Sequence, residues 1–239
     1  MNDWEKVAII LARGNSQRIK NKNIIKFQNK PMIYWPIKCA KETGIFNQII
    51  VSTDSIKIKK IVEKQNISVP FLRSKINSRA KSLPIDVIKE VINKLDIKKN
   101  LYVCCFFSNT PFSYTKDVIN GLKILKKKNI STVLPVKRVD SRYQRILVRK
   151  KSNYISYLNQ QNIYKRSQDL SESFIDAGQW FWIKFNPNNI KKINILSGNI
   201  GYVELPEYRV CDIDNYEDLR RAKILVKKNK FYGQKKKDW

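Results

Sequence analysis

The stretch Val7-Ala8-Ile9-Ile10-Leu11-Ala12-Arg13-Gly14-Asn15-Ser16-Gln17-Arg18-Ile19-Lys20-Asn21-Lys22-Asn23 decides the class of fold. It opens on a continuous apolar run ended by Arg-Gly, the pattern of a strand buried on both faces. The polar residues that follow then lie at the carboxyl end of that strand, where open α/β sheets bind their ligands. Gly14 permits close backbone approach, Ser16 donates from hydroxyl and amide, and Arg13, Arg18, Lys20 and Lys22 set cationic donors along a short arc. A polyphosphate suits such a loop. The competing reading is a surface loop that is basic because the whole chain is basic, and spacing alone does not separate the two. The loop lacks the Gly-Lys-Ser/Thr of a Walker A sequence, and its single glycine excludes a dinucleotide fingerprint.

A chain of 239 residues buries a core of its own and is most simply one α/β domain. Its first residues are polar, and no apolar stretch approaches the ~18–20 residues of a membrane span, so a cytoplasmic protein is expected. Cys39, Cys104, Cys105 and Cys211 show no C-x-x-C spacing and read as core thiols, with Cys104 and Cys105 facing opposite sides of a sheet. Histidine is absent. That excludes Ser-His-Asp hydrolases, histidine-dependent zinc sites and histidine acid-base chemistry, leaving carboxylates, lysines, arginines, backbone amides or a hard metal ion. The formal charge of +28 raises the question of nucleic acid. Its lysines, however, are scattered over almost every helix and turn, and no nucleic-acid-binding module stands out. Nucleic acid is therefore expected to bind only non-specifically, at low salt.

Periodicity gives the rest of the frame. A helix is expected from Pro31 to Thr43, stopped by Gly44, then a buried strand at Gln48–Ser52 and a helix capped by Thr53-Asp54-Ser55 and running to about Gln65. Pro84 to Leu95 has helical spacing, Leu101 to Phe107 is a third buried strand, Asp117 to Lys128 a helix and Ser131 to Val136 a strand. Residues 137–164 change character and read as an excursion with a hairpin near Arg149–Ser156. The aromatic run Gln179 to Ile183 reads as a strand returning to the core, and Tyr216 to Lys228 as the last helix. Residues 229–239, with Lys235-Lys236-Lys237, read as a frayed basic tail.

Tyr208-Arg209-Val210-Cys211-Asp212-Ile213-Asp214 carries two carboxylates at i and i+2, on one side of an extended strand. Both can face one hard cation such as magnesium, or the segment is simply a solvated strand end. Arg166-Ser167-Gln168-Asp169 and Asp176-Ala177-Gly178-Gln179 supply a cation for a carboxylate and a tight turn.

In this order, from about Val7 to Leu225, the segments resemble the CMP-sialic acid synthetase family of cytidylyltransferases. The opening loop is similar to that family's first motif, and Val51-Ser52-Thr53-Asp54, Pro70-Phe71-Leu72-Arg73 and Asp212-Ile213-Asp214 match as well. Val103-Cys104-Cys105, Arg166 to Leu170 and Asp176 to Gln179 look most like the branch acting on pseudaminic acid. The resemblance implies a Rossmann-like, mostly parallel sheet with helices on both faces, of the nucleotide-diphospho-sugar transferase type. It also implies a small β-rich excursion, 137–164, that makes a homodimer.

The implied reaction is attack by the anomeric hydroxyl of a nine-carbon ulosonic acid on the α-phosphorus of CTP, releasing pyrophosphate with Mg2+ present. Arg13, Gly14, Ser16 and Lys22 match nucleotide-phosphate positions, Asn23 and Arg73 positions that recognise cytosine, and Asp212 and Asp214 the metal carboxylates. Arg13, Lys22, Asp212 and Asp214 are the implied catalytic set. Gln144, Arg166, Gln179 and Phe181 fall on the sugar side, with Arg166 expected to hold the sugar carboxylate.

Several positions depart from the pattern. Gln17 replaces a usual lysine and Lys20 a usual proline, Ile175 replaces a histidine, and Asn109 differs in the loop after the third strand. Ser78-Arg79-Ala80-Lys81-Ser82-Leu83-Pro84 lacks the family's acidic pair and Thr-Gly-Thr. The same reaction on N-acetylneuraminic, legionaminic or an eight-carbon ulosonic acid, and an inactive relative that binds nucleotide or nucleic acid, are the alternatives.

Overall fold

The computed structural model describes residues 4–188, 195 and 198–234, and the side chains of the last helix as far as Lys227. The expected basic run Lys235-Lys236-Lys237 lies outside the described residues. The elements follow in chain order as β1 (Glu5–Leu11), β2 (Lys26–Phe27), β3 (Lys30–Pro31), α1 (Tyr34–Glu42), β4 (Gln48–Ser52), α2 (Ile56–Glu63), α3 (Pro84–Lys94), β5 (Leu101–Phe107) and α4 (Thr115–Leu125). The second half holds β6 (Thr132–Val139), β7 (Leu147–Arg149), β8 (Ile155–Tyr157), β9 (Ser173–Asp176), β10 (Trp180–Phe185), β11 (Ile200–Glu204) and α5 (Tyr216–Gln234).

The main sheet has the order β11-β6-β10-β5-β1-β4, with β9 also paired to β6. β1 lies parallel between β4 and β5, with Leu11 level with Ser52 and Phe107. β10 runs antiparallel to both β5 and β6, and β11 parallel to β6. Only β10 and β9 therefore run against the common direction. These two lie in line along β6, broken at Ala177-Gly178-Gln179, where Ala177 still donates its N–H to Pro135 O at 2.9 Å.

Strand side chains alternate between two cores, because successive residues of a strand face opposite ways. Ala8, Ile10, Cys104, Phe106, Trp180 and Trp182 pack with Ile37 of α1, Ile58 and Val62 of α2 and Val118 and Leu122 of α4. Val7, Ile9, Val103, Cys105, Phe181 and Ile183 pack on the other side with Ile85, Ile88, Val91 and Ile92 of α3. Helices thus cover both faces, and Cys104 and Cys105 do part to opposite cores. All four cysteines are free and buried, and burial pushes every thiol up, Cys211 to about 11. A third cluster, with Ile19, Phe27, Met32, Phe112, Cys211, Ile213, Ala222 and Leu225, seats α5 against the loop after β1.

Some boundaries differ from those read in the sequence. α1 begins at Tyr34, not Pro31, because Pro31 pairs with Lys26 in the β2–β3 hairpin and Met32 and Ile33 donate to Ile25 O and Asn23 O. β6 continues to Val139 because β9 and β11 flank it, and α5 continues to Gln234 rather than fraying after Lys228. Residues 210–214 form no strand: no neighbouring strand pairs with them, and the chain runs irregularly into α5. No helix of the described residues is long and apolar enough to cross a membrane.

Candidate active site

The loops that leave the carboxyl ends of β1 and β5 meet the segment between α2 and α3 in one cleft of about 170 Å3, lined by Arg13, Ser16, Lys22, Asn23, Arg73, Arg79 and Asn109 among others. The loop after β1 reaches it through a turn at Asn21, whose φ of +56° places it in the left-handed region that asparagine tolerates better than most residues. That turn brings Asn23 inward. Its buried amide donates to Arg13 O at 2.7 Å and its Oδ1 accepts from Ser108 Oγ at 2.8 Å, tying the β1 loop to the β5 loop.

Arg73 is buried beside the end of β4. Its Nε donates to Ser52 Oγ at 3.0 Å, a second guanidinium nitrogen donates to Ser52 O, and its own N–H meets Thr53 O at 2.8 Å. Burial lowers its pKa, opposed by the charge of Asp54. A guanidinium fixed in this way is pre-set to present its remaining donors to a ligand.

Gly14 has a different role from the one its sequence suggests. A Cβ there would stand 2.7 Å from Ser55 Cβ, and its N–H donates to Asp54 Oδ1 at 2.6 Å. The close approach that requires glycine is to the start of α2, and Gly14 does not line the cleft.

The two carboxylates lie one contact beyond the cleft. Lys22 Nζ reaches Asp214 Oδ1 at 2.8 Å and Arg18 Nη2 reaches Asp214 Oδ2 at 2.6 Å. Asn109 gathers the other carboxylate. Its Nδ2 donates to Asp212 Oδ1 and, at 3.2 Å, to Ile213 O, while its own carbonyl accepts from Ile213 N at 3.4 Å. Behind them Asp218 accepts from Asp214 N and Asn215 N while Asn215 Oδ1 accepts from Asp218 N, a reciprocal cap at the start of α5.

The electrostatics of the pair diverge. Burial, then the charge of Asp214, raises Asp212 to about 6. Burial also works against the charge of Asp214, but Lys22 and Arg18 outweigh it and hold its pKa below the usual value. Two nearby carboxylates that repel each other form a place where a cation is favoured. The Asp176–Gln179 turn abuts the same spot: Gly178, at φ +63°, leaves room that a Cβ would take up 3.4 Å from Asp212 Oδ2.

The residues expected on the sugar side do not assemble at the cleft. Arg166 is exposed and paired with Asp169, Nε to Oδ2 at 2.8 Å. Gln144 is occupied inside the excursion, donating to Ser171 O and Ser173 Oγ and accepting from Asn162 Nδ2 at 3.2 Å. Gln179 is buried, with Nε2 donating to Arg209 O at 2.6 Å and Oε1 lacking a partner among the described residues. Phe181 belongs to the α3-side core, tilted against Phe107 at 6.0 Å between ring centres.

Sequence reasoning missed the ion pair beneath the site. Arg209 Nη1 lies 2.6 Å from Asp117 Oδ2, both nearly buried, with the guanidinium over the Tyr114 ring. The partners are 92 residues apart, so no local spacing announces them.

A basic cleft at the carboxyl ends of parallel strands, joined through Lys22 and Asn109 to a carboxylate pair, on a Rossmann-like α/β sheet, has the chemistry to receive a phosphate-bearing ligand. Comparison with known proteins narrows the class. A family model described as cytidylyltransferase matches residues 7–236. The pseudaminic acid cytidylyltransferase of Campylobacter jejuni is 31% identical over 226 residues, 93% of this chain and 97% of that protein. N-acylneuraminate cytidylyltransferase A of Danio rerio is 27% identical over 96% of this chain and 52% of that protein. Among solved structures, a CMP:2-keto-3-deoxy-manno-octonic acid synthetase complexed with CTP superposes with a TM-score of 0.71 at 15% identity, covering 94% of this chain and 99% of the other. The chain belongs to the cytidylyltransferase family.

Proposed function

We propose that this chain transfers CMP from CTP to the anomeric hydroxyl of a nine-carbon ulosonic acid, pseudaminic acid by preference, with magnesium as its cofactor. One observation carries the reading: a single cleft gathers Arg13, Ser16, Lys22, Asn23 and Arg73, and two side-chain bridges join it to Asp212 and Asp214. The full-length likeness to the Campylobacter enzyme supports the choice of sugar.

In this account Arg73 and Asn23 hold the base, and Arg13, Ser16 and Lys22 hold the triphosphate. The anomeric oxygen bonds to the α-phosphorus, the bond from that phosphorus to the β-phosphate oxygen breaks, and pyrophosphate leaves in line. Preorganised donors such as Lys22 each contribute roughly 3 kcal/mol to stabilising the charge that builds on phosphate oxygens. Asp212 and Asp214 would hold the cation, which when bound neutralises phosphate charge. Two carboxylates suffice for magnesium, since that ion keeps waters and phosphate oxygens in its shell. The hydroxyl proton passes to a carboxylate oxygen of Asp212 or Asp214.

The sugar side is completed by assembly. The excursion exposes Tyr154, Ile155, Leu158 and Tyr164, the last at 95%, an apolar set suited to a second copy. Light scattering at micromolar concentration is expected to give a dimer. The deciding assay is pyrophosphate release from CTP with pseudaminic, N-acetylneuraminic, legionaminic and eight-carbon ulosonic acids. Turnover is expected with pseudaminic acid first, and no release with any of them would overturn the reading.

A further inference from the structure

Beside the nucleotide cleft lies a larger one, about 670 Å3, between residues 74–82 and α3. The two share Asn77, Arg79 and Ser82, so the 74–82 segment is a wall between them. Glu90 of α3 holds this wall. The Glu90 side chain is only 8% exposed. Its Oε1 accepts from Ser74 N at 2.8 Å and pairs with Lys94 at 3.2 Å, and its Oε2 accepts from Ser74 Oγ at 2.9 Å and Asn77 Nδ2 at 2.5 Å. A carboxylate with both oxygens engaged by one loop fixes that loop.

The wall delivers Arg79 to the cleft that Arg13, Lys22 and Arg73 also line, and no carboxylate is among the described lining residues. Two of these four cations are already engaged, Lys22 by Asp214 and Arg73 by Ser52. Arg13 and Arg79 are the two whose guanidinium groups make neither a hydrogen bond nor an ion pair among the described residues. A triphosphate in this cleft calls for positive charge that is not already engaged. Arginine supplies it in a form that bonds two phosphate oxygens at once.

We propose that Arg79 contacts the triphosphate of the bound nucleotide and that Glu90 is a positioning residue fixing the wall that carries it. The inference rests on reading the cleft as a CTP site. It is tested by calorimetry of CTP, CMP and inorganic triphosphate binding to the wild-type chain, Arg79→Ala and Arg79→Lys, with steady-state kinetics of Glu90→Gln. Arg79→Ala is expected to weaken CTP and inorganic triphosphate by about tenfold and leave CMP unchanged, with lysine restoring part of the loss. Glu90→Gln is expected to raise KM for CTP severalfold while kcat and the KM of the sugar acid hold, a split that general loosening of the fold would not give. Arg79→Ala that binds CTP as tightly as the wild type, or that loses CTP and CMP equally, overturns the inference and leaves the CTP reading standing. A wild-type chain that binds neither CTP nor inorganic triphosphate overturns both.

Discussion

The basic cleft and the 137–164 excursion hold their side chains in opposite ways. In the cleft, buried groups from distant parts of the chain fix one another: Asn23 bonds Arg13 O and Ser108, Arg73 bonds Ser52, and Asn109 bonds Asp212. In the excursion, contacts are local and exposed, as in the Arg166–Asp169 pair, while apolar side chains such as Leu158 and Tyr164 face outward. The contrast teaches that the cleft is preorganised by the sheet within a single chain. In the proposed function the sugar side gains its final arrangement from sugar, partner copy or both.

The most direct way to break the comparison is at the carboxylates. Asp212→Asn is expected to lower turnover by about a hundredfold, roughly 2.7 kcal/mol of barrier, with the circular dichroism spectrum unchanged. Activity near wild type would show that the pair does not belong to the cleft. Stability gives the next contrast. Arg209→Met leaves Asp117 buried without its partner and should cost about 3–5 kcal/mol in denaturant unfolding, whereas Arg166→Met removes an exposed pair and should cost under about 1 kcal/mol. Comparable losses would mean that the two regions are equally rigid.

A smaller effect sharpens the electrostatics of the cleft. Asp212 has a folded-state pKa of about 6, above the ordinary carboxylate value. Between those two values the folded chain holds more protons than the unfolded one, so this group's contribution to stability falls as pH rises through that window. Without nucleotide or metal, wild type should therefore melt further below Asp212→Asn at pH ~7.5 than at pH ~4.5. Asp214, shifted down, has the opposite sign: its contribution is present at neutral pH and lost in acid. A gap between wild type and Asp212→Asn that is constant with pH would remove the burial and repulsion assigned to Asp212. The least effect belongs to the excess charge. Retention on nucleic acid should be independent of sequence and fall steeply between roughly 50 and 200 mM salt.

The same contrast explains what the sequence made legible. β4 and β5 stand where their apolar runs predict, Gln48–Ser52 and Leu101–Phe107, because strands buried on both faces leave an uninterrupted signature. β9 and β11 carry short or alternating patterns that do not stand out, and the α1 start shifted because the small β2–β3 hairpin claims Pro31. Arg13, Ser16, Lys22 and Asn23, which line the cleft, were readable as a group because they cluster after one strand. Gly14 kept its importance but for a contact with Ser55, which only the folded loop discloses. Asn109 stood out as a departure, and its bonds to Asp212 and Ile213 make it the link between loop and carboxylates. Arg209–Asp117 and Glu90–Ser74 join residues far apart in sequence, and such pairs have no period to betray them. Gln144 and Arg166 sit where local bonds already satisfy them, away from the cleft, so the structure of the single chain does not bring them together with it.

The central claim is that the cleft and the carboxylate pair form one site that moves CMP onto an ulosonic acid. The most direct test follows the α-phosphate itself, with α-labelled CTP, pseudaminic acid and magnesium incubated with the chain and the label traced by chromatography and mass. The account predicts that the label leaves CTP and appears in a CMP-sugar, in step with pyrophosphate. Label that stays in CTP, or that appears only as free CMP, would contradict it.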